Sequence, residues 1–203
     1  MTAMSYSRKQ PFFKDKDRKQ LRDCFIEEMK KADRLIITAA FSSGYSLYAL
    51  DKLVEQCKIK NVCVILGMYY FVEPWEKIYR AAVKINDKWQ RAGIGEIRVI
   101  HSSKYHGKIY YFIKNNQIFS AIFGSPNLSF LHQPSQYREE QVETAALIRD
   151  PELLQDFLMH AEEMQLEDFS DNISSFEWEK IVYTENSICE TKEICKIRLT
   201  KRI

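Results

Sequence analysis

Four side chains in this sequence could together break an ester of phosphate. In Tyr105-His106-Gly107-Lys108-Ile109-Tyr110-Tyr111-Phe112 a histidine and a lysine stand two positions apart. Residues two apart on a strand share a face. The imidazole and the ammonium are therefore expected to project together, with Ile109, Tyr111 and Ile113 facing the other way. Further on, Phe123-Gly124-Ser125-Pro126-Asn127 ends an apolar run at a turn marked by Gly and Pro. Small residues there let backbone amides approach a ligand, and Ser125 and Asn127 offer side-chain donors. A phosphodiester is an anion whose transition state gathers more charge on its non-bridging oxygens. Cleaving it takes a nucleophile, a cation and neutral donors. His106 can attack phosphorus, Lys108 supplies the charge, and Ser125 and Asn127 supply hydrogen bonds.

His106-x-Lys108 followed by Gly124-Ser125-Pro126-Asn127 resembles the signature of the phospholipase D superfamily. Its aromatic and aliphatic setting is most similar to the branch containing metal-independent restriction endonucleases of the NgoFVII type. The resemblance covers residues 34–160. It implies that a glutamate on the next strand completes the site, and Glu143 in Val142-Glu143-Thr144-Ala145-Ala146-Leu147 stands in that place, with Glu139 and Glu140 as rivals. The common family pattern has an aspartate where this chain has Ile113. Glu143 is accordingly expected to hold and polarise the His106 ring, as carboxylates do for other catalytic histidines. The resemblance further implies two facing His-Lys-Asn sets. One histidine forms a phosphohistidine while the other protonates the leaving oxygen. This chain has one set and no internal repeat, so a symmetric homodimer with one active site on its two-fold axis is expected.

Each residue also has a plainer reading. His101 precedes the motif and fits a structural or exposed role, and His132 and His160 have no evident partners. Asn127 could simply cap a turn, and Ser125 could simply form one. The series Tyr69, Tyr70, Phe71 and Trp75 reads as core and helix start rather than as a platform for stacked bases.

The elements that must position these residues follow from periodicity. Helical spacing runs through Asp15–Lys31, Tyr45–Cys57, Trp75–Ala92 after Pro74, and Pro151–Met164. Buried strands are expected over Arg34–Phe41 and Val62–Met68, and further strands over Glu96–Ile100 and Val142–Ile148. Lys108–Ile113 and Ile118–Phe123 form a hairpin about the polar Lys114-Asn115-Asn116-Gln117. This order indicates an α/β fold, a mixed β-sheet flanked by helices on both faces, as in a phospholipase D-like sandwich. Phe176–Tyr183 and Ile194–Leu199 read as a strand pair or the opening of something longer. The catalytic unit is expected over residues 1–167, with 168–203 as a C-terminal extension, linker or start of a second domain.

The chain's 203 residues suffice for one well-buried domain, and 45% hydrophobic with 29% charged residues is an ordinary globular balance. Apolar runs are too short to span a bilayer and no signal peptide is evident, so a cytoplasmic location away from membranes is expected. Five scattered cysteines, with no Cys-x-x-Cys pair, offer no zinc site, and neither metal nor cofactor is expected. Net charge is only +2, with Arg and Lys gathered in the first 34 residues and at the end. The expected partner is DNA, with recognition residing in a separate domain or in a helicase or ATPase subunit. A phospholipid hydrolase, or a silent module that binds nucleic acid or a helicase, is the alternative. The intact His106, Lys108, Asn127 and Glu143 weigh against silence.

Overall fold

β-Branched and aliphatic runs set the sheet, and the computed structural model describes residues 2–6, 20–132, 143–186 and 191–201. In chain order the elements are β1 (Thr2–Tyr6), α1 (Leu21–Met29), β2 (Arg34–Ala39), α2 (Gly44–Gln56), β3 (Asn61–Leu66), α3 (Glu76–Ala92) and β4 (Gly95–Ile100). They continue with β5 (Ile109–Lys114), β6 (Gln117–Gly124), β7 (Glu143–Ile148), α4 (Pro151–Glu163), β8 (Ser170–Asn172), β9 (Phe176–Asn186) and β10 (Thr191–Lys201). Eight strands form one mixed sheet in the order β1-β7-β6-β5-β2-β3-β4-β8, and β9 and β10 form a separate antiparallel pair.

Period-two alternation divides the core into two layers. Leu35, Ile37, Val64, Leu66, Tyr110 and Phe112 pack on α1, α2 and α3. Ile36, Cys63, Ile65, Tyr111 and Ile113 face the other way, against Ala161 and Met164 at the α4 side. Helices thus cover both faces, as the alternation of strand and helix in the sequence requires. Ile113 is buried in the α4-side layer, near the far end of β5 from His106. A carboxylate at that position would be stranded among apolar side chains and could not reach the His106 ring.

Local signals fix the boundaries. Ser43 caps α2 by accepting from Ser46 N, and Asp150 caps α4 by accepting from Leu153 N, with Pro151 following. Gly93 closes α3 at φ 67°. Asn115 and Asn116, at φ 50° and 61°, make the left-handed two-residue turn that suits a tight hairpin between β5 and β6. The strand pair expected near the C-terminus is present as β9 and β10. β8 carries too little apolar patterning to be read as a strand, yet it pairs antiparallel with β4. Buried Asn86 fastens this edge, accepting from Ile97 N at 2.7 Å and donating to Asn172 and Ser174.

Candidate active site

Strand order determines where the chemistry falls. β2, β3 and β4 run parallel, β5 pairs with β2, and the chain leaving β4 must therefore cross the C-terminal ends of β3 and β2 to begin β5. Residues 101–108 make that crossing. Tyr105 N donates to Gly67 O at 3.3 Å beyond β3, and the Tyr105 hydroxyl lies 3.1 Å from Thr38 Oγ1 of β2. Gly67 and Gly107 are needed here because a Cβ on either would overlap Tyr105. The expected start of the strand at Lys108 is corrected by this crossing. β5 begins at Ile109, and His106 and Lys108 lie in the irregular segment before it.

Their side chains nevertheless meet. Lys108 Nζ stands 2.8 Å from His106 Nδ1 and also donates to His106 O at 2.8 Å. The lysine is only 8% exposed, whereas His106 lies open to solvent. Burial pushes the Lys108 pKa below its usual range, and the charge of Glu143 partly opposes that fall. An ammonium has no lone pair, so it must donate to Nδ1. A neutral ring in that contact carries its proton on Nε2.

The remaining residues come from the same end of the sheet, where β6 stops and β7 starts. Gly124 is required because a Cβ would run into Thr144 O and the Ala145 backbone. Ser125 N donates to Thr144 O at 2.9 Å, and Thr144 N returns a bond to Ser125 Oγ at 3.1 Å. The Ser125 hydroxyl donates to Glu143 Oε2, so its proton is already committed. The buried Tyr110 hydroxyl donates to Pro126 O at 2.6 Å and fixes the turn from below. Asn127 Oδ1 accepts from Phe41 N at 3.0 Å, which leaves the amide nitrogen as a donor for a ligand.

All five residues expected at the site thus stand at one end of the sheet, in three connected groups. His106 contacts Lys108, Ser125 contacts Glu143, and Asn127 reaches the loop after β2, whose Phe41 ring lies edge-on to His106 at 6.0 Å. The Glu143 hydrogen bond goes to Ser125, and it is Lys108 that occupies the Nδ1 side of the ring. Glu139 and Glu140 lie outside the described residues.

The other histidines have structural partners. His101 Nε2 lies 3.1 Å from Asp171 Oδ2 and 3.2 Å from Glu167 O. His160 Nδ1 meets the Tyr111 hydroxyl at 2.6 Å, and His132 stacks on Tyr45. Tyr69 is buried and its hydroxyl donates to Ser42 O, supporting the loop beside the site. Thr38, Phe41 and Gly67 were invisible as site residues, because each ends or follows an ordinary core strand. Tyr105 was visible only as the neighbour of His106.

Among the described residues no three His, Cys, Asp or Glu side chains stand close enough together to hold a metal ion. Cys24, Cys57, Cys63 and Cys195 form no disulfide, and Cys189 lies outside the described residues. No described helix is long and apolar enough to cross a membrane. What the site assembles is an exposed imidazole over a buried cation, flanked by an amide donor and a carboxylate, a set suited to an anionic ester.

Comparison with known proteins agrees with this chemistry. The family model for the NgoFVII restriction endonuclease N-terminal PLD domain matches residues 19–177. No curated protein matches the chain.

Proposed function

Because this chain belongs to the NgoFVII restriction endonuclease N-terminal PLD domain family, we propose that it is a DNA endonuclease acting through a covalent bond to His106. In this reading it needs no metal ion, and a second copy of the chain completes the active site. The observation that carries the reading is the exposed His106 ring resting on the buried Lys108 ammonium, 2.8 Å from Nδ1.

A phosphate oxygen is a stronger acceptor for that ammonium than a neutral ring nitrogen. Substrate therefore draws Lys108 from Nδ1, the ring proton exchanges through water to Nδ1, and Nε2 is bared. Attack forms the N–P bond and breaks the bond to a deoxyribose oxygen, which takes a proton from the partner's His106. Water then attacks phosphorus, gives its proton to the partner's His106 and breaks the N–P bond. The sum is one diester and one water converted to one alcohol and one phosphate monoester. Lys108 and the Asn127 amide hold the charge that develops on the non-bridging oxygens. Glu143, tied to Ser125, acts chiefly by keeping the buried Lys108 charged.

Incubating the full chain with plasmid DNA in excess EDTA tests this reading. Nicked or linear products from the wild-type chain, absent with His106→Ala, are expected. Cleavage that vanishes in EDTA and returns with Mg²⁺ would refute the metal-free reaction.

A further inference from the structure

Phe41 is exposed where a core residue would be expected. It follows the buried run of β2 yet is 37% exposed, and its ring stands 6.0 Å from the His106 ring at an interplanar angle of 75°. Its backbone N–H is held by Asn127 Oδ1, so the ring is placed by a residue of the site itself. Four positions on, Tyr45 in the first turn of α2 is 70% exposed and stacks on His132 at 5.0 Å. His132 directly follows the short helical turn Leu128–Leu131 that begins after Asn127. Two exposed aromatic groups thus border the catalytic end of the sheet on the side of the β2–α2 loop.

Resting on the nuclease reading above, we propose that Phe41 is the stacking surface for the base next to the scissile phosphate, with the Tyr45–His132 pair continuing the rim. The spacing fits. With its ring 6.0 Å from that of His106, Phe41 is near enough for a base flanking a phosphate attacked by His106 to stack on its exposed side. An aromatic face accepts any base, so Phe41 positions the strand without reading its sequence. Its contact with His106 couples that position to the nucleophile. A DNA strand is the occupant that an exposed ring tied to a phosphodiesterase histidine fits best. A second copy of the chain is the rival occupant.

The test uses the full chain and an oligonucleotide duplex spanning a site mapped on plasmid DNA, either intact or abasic at the nucleotides flanking the scissile bond. Wild-type cleavage is expected to slow about tenfold or more on the abasic duplex, mainly through KM. Phe41→Ala is expected to show a similar loss on intact DNA and little further loss on abasic DNA, and Phe41→Trp to retain activity. Equal abasic penalties in wild type and Phe41→Ala overturn the proposal, as does a Phe41→Ala chain that cuts intact DNA like wild type. Conversion of dimer to monomer by Phe41→Ala also overturns it, assigning the ring to the interface between copies. In each of these cases wild-type cleavage persists and the nuclease reading stands. No cleavage of any duplex by the wild-type chain removes both.

Discussion

Lys108 Nζ lies 2.8 Å from His106 Nδ1, so the cation proposed to bind phosphate also touches the ring of the proposed nucleophile. Because the ammonium can only donate, the resting neutral imidazole is expected to hold its proton on Nε2. Nitrogen-15 NMR of the labelled chain above the histidine titration checks this. Lys108→Met should remove the bias and shift the ring nitrogens. An Nδ1–H tautomer in the wild-type free chain would contradict the contact.

Lys108 also carries a stability cost. Burial disfavours its charge and lowers its pKa, so the folded chain binds this proton less well than the unfolded chain does. The cost applies throughout neutral pH and shrinks as pH rises toward 10.5, where the unfolded lysine loses its proton too. Lys108→Met is therefore expected to raise unfolding stability by on the order of 1 kcal/mol while cleavage falls by orders of magnitude. Urea denaturation and plasmid cleavage on the same preparation check both halves. A destabilised variant would show that the lysine is held by more than its catalytic task.

Gly124 offers a purely steric test. Its missing Cβ leaves room for the Thr144 carbonyl, a backbone atom that cannot swing aside. Gly124→Ala should cost about 1–3 kcal/mol through overpacking and should also displace Ser125 from Glu143. Thermal denaturation and cleavage are both expected to suffer, and a variant indistinguishable from wild type would contradict the packing of β6 on β7.

His160 should make the fold sensitive to acid. Its burial between Tyr105 and Tyr111 depresses its pKa from 6.5, against a smaller opposing effect of Glu163. A base with a lowered folded pKa takes up protons preferentially in the unfolded state. Its contribution to stability is thus complete above pH 6.5 and declines as pH falls from there through the folded pKa. Urea melts between pH 7 and 5 should show a steeper loss for wild type than for His160→Phe. Parallel losses would assign the acid sensitivity to other groups.

The catalytic side chains should rank by role. His106→Ala removes the proposed covalent nucleophile and should abolish turnover while leaving DNA binding largely intact. Asn127→Ala removes one donor and should cost roughly 10²–10³ in kcat, with Lys108→Ala in between. Single-turnover rates with filter binding check the order. A rate for His106→Ala near that of wild type would end its assignment.

Much of this was legible in the residues themselves. Strand and helix positions followed apolar spacing, and the Asn115-Asn116 turn announced the β5–β6 hairpin. The types of His106, Lys108, Ser125, Asn127 and Glu143 pointed to one candidate site, and the structure brings all five to the same end of the sheet. What periodicity could not carry was strand order. Without knowing that β2 and β3 lie between β4 and β5, His106 and Lys108 looked like neighbours on one face of a strand, and Gly67, Thr38 and Phe41 looked unrelated to a site almost forty or more residues downstream. Pairings such as Ser125 with Glu143 and Lys108 with His106 Nδ1 depend on rotamers, which spacing does not fix. Ile113 explains itself only in three dimensions, as a core residue of the α4-side layer.

If His106 bonds to phosphorus during turnover, that bond can be trapped. Wild-type chain is mixed with cleavable DNA in EDTA, quenched in alkali within one turnover, digested and weighed by mass spectrometry. A base-stable, acid-labile phosphoryl adduct is expected on the peptide containing His106, absent in His106→Ala. DNA cut at the normal rate with no adduct on that peptide would contradict it.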